Sequence, residues 1–423
     1  MIQTVENIGE KLVSMLTYDA SQPLIFSSGL FLFLFAGFLF FYGFTRRAPM
    51  ARIVYVILFS LYFYYKSSGI YFLLLVFASV SDYWIAHAIY KVRTQRAKYW
   101  LVGLSVLVNL GMLGYFKYTN FLIEIANNLF GQGFLNFQNI FLPVGISFFV
   151  FQSMSYTIDI CRGQLKPLNN WADYLFYLSF FPQLVAGPIV RAKDFIPQIR
   201  QNPLRVTREM FGMGVFLILI GLFKKAVISD YISLNFVDRI FDEPLLYSGF
   251  ECLMGIYGYA LQIYCDFSGY SDMAIGIALL LGFRFPKNFD APYKSATITE
   301  FWRRWHISLS TWLRDYLYIS LGGNRKGRIR TYFNLLVTML LGGLWHGAAV
   351  RFILWGALHG IALALHKLWL SVVPGSKATG AEMRWFWRIP GIFFTFNLVC
   401  FGWLMFRCLL YTSDAADEAR SVD

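Results

Sequence analysis

The stretch LIFSSGLFLFLFAGFLFFYGFTRR, Leu24–Arg47, carries no charge until its closing arginine pair. A helix needs about 20 apolar residues to cross the hydrocarbon core of a bilayer. This stretch is long enough, and comparable windows recur down the chain as far as Phe406. Segments are predicted near 24–44, 51–65, 70–90, 99–116, 140–160, 171–190, 210–228, 252–283, 331–349, 352–371 and 389–406. The second is short. The sixth holds FFPQLVAGP, whose Pro182, Gly187 and Pro188 break a spanning helix. Broken backbone at membrane depth has to be covered by protein or face a water-filled cavity, so this segment is predicted to re-enter rather than span.

Composition agrees with that reading. Of 423 residues 57% are hydrophobic and 14% charged, a balance that a water-soluble domain of this length neither exposes nor buries. The fold class is therefore all-α: a polytopic, multi-helix transmembrane protein with re-entrant and interfacial segments. The net charge of +13 does not point to nucleic acid, because the lysines and arginines fall between apolar segments, where they orient a membrane protein. The basic clusters are Arg46, Arg47 and Arg52; Lys91, Arg93, Arg96 and Lys98; Arg191, Lys193, Arg200, Arg205 and Arg208; and Arg325, Lys326, Arg328 and Arg330. All four face the cytoplasm if the N-terminus is outside and the sixth segment re-enters, and the acidic loop at Asp238, Asp242 and Glu243 then lies outside.

The cysteines show neither CxxC spacing nor the pattern of a disulfide framework or zinc site. The N-terminus lacks the basic leader of a cleaved signal peptide, so the first apolar span is expected to be retained. Three regions follow: 1–23, an extracytoplasmic segment; 24–407, one membrane domain; and 408–423, a polar tail. The composition breaks sharply at RCLLYTSDAADEARSVD, which predicts a non-native tail on a chain cut short.

Ionisable groups among apolar segments are functional candidates by default. In TEFWRRWHISLSTWLRDYLYISLGGN, Thr299–Asn324, the residues Phe301, Trp305, Leu309, Trp312 and Tyr316 fall on one helical stripe, with His306 at its boundary. A helix over Thr299–Tyr316 is predicted, lying in or sloping from the interface, with arginines that either reach an anionic donor or simply snorkel. His346 sits in GGLWHGA, Gly342–Ala348, inside an apolar helix. A largely desolvated imidazole has its charged form disfavoured, which suits a general base. His359 and His366 share a helix face but lack further ligands, so no metal is expected. Ser147, Gln152, Ser155, Tyr156 and Asp159 in one helix, and Asp266, Ser268, Ser271 and Asp272 in another, read as interhelical hydrogen-bonding groups or as parts of a site.

Five motifs, in order and spacing, resemble the bacterial branch of the membrane-bound O-acyltransferases (MBOAT), nearest its alginate O-acetylation type and more distantly the D-alanine transfer protein of teichoic acid. They are LPVGISFFVFQ, FFPQLVAGPIVR, YCDFSGYSDMAIG, FWRRWHISLSTWLRDYLYISLGGN and GGLWHGA. The resemblance implies an MBOAT-like fold and transfer of an acyl group, most often acetyl. The donor would be a cytoplasmic thioester, acetyl-CoA or an acyl carrier, and the acceptor a hydroxyl of an extracellular polysaccharide, reached directly or through an exported acetyltransferase. It carries two histidines over to His306 and His346, the second as the catalytic one. Trp305, Arg303, Arg304, Asn334, Asp266 and Gln183 become candidates for donor or substrate binding, with His306 and Asn334 orienting the donor or meeting an oxyanion. No bound cofactor is expected; the partners are membrane lipid and polysaccharide. D-alanyl transfer to teichoic acid, or a transporter of an acyl group or polymer, are the alternatives.

Overall fold

The computed structural model describes residues 11, 13–45, 47–131, 133–185, 187–201, 205–373 and 384–407. Arg46, most of the 1–23 segment before Val13 and the 408–423 tail lie outside these. Among the described residues there is helix and no strand. They sort into two compact units, the chain up to Ile218 with Met273–Phe285, and Leu219–Asp272 with the chain from Pro286 on.

The first unit is built on α1 (Gly29–Tyr42), α2 (Pro49–Ser68), α3 (Phe72–Lys91), α4 (Gln95–Phe130), α5 (Ile146–Cys161), α6 (Trp171–Ser179), α7 (Phe181–Leu184) and α8 (Ala192–Ile199). Gly69, with φ of 58°, ends α2 and separates it from α3 in an otherwise unbroken apolar run. Its core is aromatic: Phe26, Phe31, Phe63 and Phe181 are buried, and Phe31 stacks on Phe35 at 5.5 Å. A polar knot joins α3, α4 and α5, where the Asp82 carboxylate accepts from Ser105 at 2.6 Å, Asn109 at 2.6 Å and Ser153. Of the α5 residues singled out in the sequence, Ser155 donates to the Gln152 carbonyl within the helix and the Tyr156 hydroxyl accepts from the Leu168 amide.

The sixth predicted segment is broken as expected. α6 has 9 residues, about 14 Å of helix, too short for a core of about 30 Å. Phe180, Phe181, Pro182, Gln183 and Leu184 at the break are all buried in protein, one of the two settings that broken backbone tolerates at membrane depth. Gly187 is required there, since a Cβ would collide with the Pro182 carbonyl.

Two long helices, α9 (Arg208–Asp242) and α10 (Gly249–Leu280), contribute residues to both units. The second unit adds α11 (Ile298–Arg304), α12 (Ile307–Trp312), α13 (Arg328–His346), α14 (Val350–Val372) and α15 (Trp385–Arg407). α13 and α14 approach backbone to backbone: a Cβ on Gly343 would strike the Phe352 carbonyl, and one on Gly356 the Met339 carbonyl. By length and composition five described stretches can cross a membrane: Pro49–Lys91, α4, α9, α14 and α15. α10 is long but carries the polar run around Asp266 and Asp272, which lowers its hydropathy.

One prediction is corrected. Thr299–Tyr316 is not a single helix: α11 ends at Arg304, α12 begins at Ile307, and a π-helical turn follows over Leu313–Tyr318. Nor does its stripe lie on a membrane interface, because Phe301, Trp305, Leu309, Trp312 and Tyr316 are all buried in protein. An apolar stripe reports which side is buried and not whether the backbone is continuous.

Candidate active site

α11 starts where the Thr297 hydroxyl accepts from the Glu300 amide at 3.2 Å while the Glu300 carboxylate accepts from the Ala296 amide at 2.9 Å. It stops at Trp305, whose backbone is extended, and His306 turns the chain at φ 43°, ψ 55°. A left-handed conformation is uncommon outside glycine and persists when surroundings impose it. Here the surroundings are Asn288. Its carbonyl accepts from the Ile307 amide at 2.9 Å, and Asp290 beside it donates to the Arg304 carbonyl at 2.9 Å.

The Asn288 side chain then sets the histidine's tautomer. Its Oδ1 lies 3.2 Å from the Ser308 amide, which can only donate, so the atom facing it must be the oxygen. The same Oδ1 is 3.2 Å from His306 Nδ1, and Nδ2 on the other side donates to Ser271 Oγ at 3.0 Å. His306 Nδ1 must therefore carry the proton, leaving the lone pair on Nε2, which is buried and has no protein partner. Burial, with His346 adding to it, holds this imidazole well below the usual histidine range, so it is neutral.

His346 is the last residue of α13 and is half-buried, whereas His306 is 1% exposed. The two imidazoles pack on one indole, that of Trp345, with ring centroids 4.9 Å from His346 and 6.2 Å from His306. Trp355 and Phe406 each stand edge-on to His346 at 5.1 Å. The Trp355 indole N–H is buried and unpaired.

A cavity of about 700 Å³ opens within the same unit, lined among others by Thr299, Trp302, Arg303, Arg314, His366 and Lys367. Thr299 Oγ1 meets His366 Nδ1 at 2.8 Å, and Lys367 Nζ donates to Asn324 Oδ1 at 2.5 Å. Part of the wall is Ile307, next to His306 in the chain, and Leu313, which packs on Gly342 one turn before His346.

The other candidates fall in several places. Arg303 lines the cavity. Arg304 pairs with Glu300 at 2.8 Å, and Trp305 is in the aromatic core, 4.9 Å from Trp403 and 5.1 Å from Phe289. Asn334 Nδ2 donates to the Gly323 carbonyl at 3.0 Å and its buried Oδ1 has no partner. Asp266 pairs with Lys225 at 2.5 Å. Gln183 belongs to the first unit, where its Nε2 donates to the Tyr177 carbonyl. His359 is packed against Trp355 at 4.7 Å and Trp302 at 5.2 Å, apart from the Thr299 partner of His366. Asn288, Trp355, Trp302 and Lys367 escaped the sequence reading. Asn288 was detectable only as the polar residue of a Pro-bounded loop, PKNFDAP.

The model of the MBOAT, membrane-bound O-acyltransferase, family matches residues 164–413, more than half of the chain. The chain is 44% identical over 390 residues to the probable alginate O-acetylase AlgI of Azotobacter vinelandii, covering 91% of this chain and 75% of that protein. It is 37% identical to the peptidoglycan O-acetyltransferase of Helicobacter pylori, over 91% of this chain and 77% of the relative. It is 31% identical to the teichoic acid D-alanyltransferase of Streptococcus thermophilus, over 76% and 78%. Membrane-crossing helices, a histidine pair and these matches agree: the chain belongs to the membrane-bound O-acyltransferase family and is an O-acyltransferase.

Proposed function

We propose that the protein sits in the cytoplasmic membrane and moves an acetyl group from a cytoplasmic thioester, acetyl-CoA or an acyl carrier, to hydroxyls of an extracellular polysaccharide, directly or through an exported partner. The observation that carries this is the histidine pair on Trp345 next to a cavity bearing Arg303, Arg314 and Lys367. Cations at the mouth suit the phosphates of a donor, and the apolar wall suits its acyl arm. Within the second unit, Lys367 and the Arg325–Arg330 cluster lie at one end of α13 and α14, while Arg407 pairs with Asp238 at 2.5 Å in the acidic last turn of α9, a helical turn where the sequence predicted a loop. Positive-inside orientation makes the cavity end cytoplasmic. The relatives' names favour acetyl over D-alanyl, since the O-acetylating relatives are the more similar.

In this mechanism His346 takes the proton of the acceptor hydroxyl as that oxygen attacks the thioester carbonyl. The tetrahedral intermediate collapses, the carbon–sulfur bond breaks, and the imidazolium returns its proton to the leaving sulfur. His306 does not meet the oxyanion: its Nε2 carries a lone pair and no hydrogen, so it accepts a hydrogen bond and orients a reacting group. Asn334 spends one Nδ2 hydrogen on the Gly323 carbonyl and keeps an unpaired acceptor in Oδ1. Among the described residues, unpaired indole N–H groups remain as donors on Trp302 in the cavity wall and on Trp355, and the developing negative charge is assigned to Trp355, whose ring packs on His346.

Donor binding tests the cavity. Reversing Arg303 and Lys367 to glutamate is expected to raise KM for acetyl-CoA by about tenfold or more in reconstituted vesicles, with kcat less affected. An unchanged KM removes the cavity from donor binding. Transfer from a D-alanyl carrier but not from acetyl-CoA would select the alternative acyl group.

A further inference from the structure

Arg52, in the first turn of α2, is fully buried. Its Nη2 donates to the carbonyls of Ile199 and Gln201, 2.8 Å each. Nε and Nη1 are buried and have no partner, which leaves three N–H donors unsatisfied. Among the described residues no carboxylate pairs with this guanidinium. A buried charge is tolerated when it is paired, and two carbonyl dipoles do not supply a counter-charge.

Arg52 forms part of the wall of a cavity of about 170 Å³, whose remaining lining is Leu39, Tyr42, Gly43, Val206, Phe211 and Leu280. All seven belong to the first unit. The space exceeds the roughly 150 Å³ that holds a benzene ring. Tyr42 donates to the Leu281 carbonyl at 2.8 Å, and its neutral hydroxyl brings no counter-charge to the guanidinium. Gly43 and Val206 stand in stretches that also carry Arg47, Arg205 and Arg208 against one carboxylate, Glu209, which leaves the surroundings net positive. Beside Gly43 the chain turns Phe40, Phe41 and Phe44 outward, 65%, 59% and 75% exposed. Fixed positive charge inside, basic residues around and apolar rings outside describe the depth at which a phospholipid's phosphate meets its acyl chains.

We propose that this cavity is an anion site for a phosphate group, with Arg52 as its buried donor, and that a phospholipid headgroup rather than free phosphate supplies it. The site is separate from the acyl-transfer chemistry and does not depend on it.

The test uses the full chain in a non-ionic detergent, with Tm followed by tryptophan fluorescence while dihexanoyl phosphatidylglycerol or inorganic phosphate is added. A saturable rise in Tm with the lipid is expected, its midpoint displaced roughly tenfold upward by Arg52→Lys, which keeps the charge but loses the donor geometry. Gly43→Leu is the second variant: Gly43 lines the cavity and is exposed, with helical φ of −55° and open space at its Cβ position, so a leucine is accepted at the cavity's rim without strain and leaves Arg52 intact. It is expected to abolish the lipid's effect. An equal rise with inorganic phosphate, lost in the same variants, supports the anion site and assigns it to the free ion. The proposal is overturned if neither probe gives a saturable rise, or if Gly43→Leu leaves the rise unchanged.

Discussion

His306 owes its chemistry to Asn288, which folds the chain around it and chooses its tautomer. Because burial lowers its folded pKa, its effect on stability has a definite sign. Above about pH 6.5 folded and unfolded states are both neutral at this position; below it the unfolded chain takes up a proton that the folded site refuses. Stability is therefore expected to fall as pH drops from about 6.5 toward the lowered folded value, and His306→Asn is expected to flatten that part of a Tm-against-pH curve. A curve with the same slope in the variant would assign the loss to other groups. Replacing Trp355 by 3-benzothienylalanine keeps a bicyclic ring against His346 and removes the N–H, so a fall in kcat of about 100-fold with little change in Tm is expected. Wild-type kcat in that variant would rule out the indole as oxyanion donor. The two histidines were legible in the sequence because imidazoles are conspicuous among apolar segments. Asn288 was not: its role depends on a loop 18 residues upstream folding back onto His306, a contact no local spacing encodes.

Elements were legible where one property dominates. Apolar windows located α2, α3, α14 and α15 to within a few residues and the start of α9, whose helix runs 14 residues past its window, and Pro182 with Gly187 announced the broken segment. The Thr299–Tyr316 stripe was right about which residues are buried and wrong about an unbroken helix, since the left-handed turn at His306 is imposed by its tertiary partner. α4, at 36 residues, runs well past its apolar window because helix continues after the hydrophobic signal ends. The glycines at the α13–α14 crossing bear on stability. Gly343→Val puts a side chain where the Phe352 carbonyl and Gly356 already lie, and overpacking of this kind is expected to cost about 1–3 kcal/mol, read as a lower Tm in detergent. An unchanged Tm would mean the two helices separate without penalty.

For the whole molecule, charge says more than hydrophobicity. The basic cluster at Arg325–Arg330 and the acidic end of α9, Asp238 and Asp242 with Glu243 after it, lie at opposite ends of the second unit's helices, as positive-inside orientation requires of the two faces of a membrane. Cysteines introduced at Lys326 and Leu245 in a cysteine-free background are expected to react with an impermeant maleimide from opposite sides of the membrane; labelling of both from one side contradicts the topology. Everything proposed about catalysis then rests on His346 as the proton acceptor. The most direct measurement is transfer of labelled acetyl from acetyl-CoA in proteoliposomes, comparing the intact protein with His346→Ala at matched Tm. A loss of turnover of about 1000-fold is expected from removal of the general base. Turnover within a few-fold of the intact protein would contradict the mechanism.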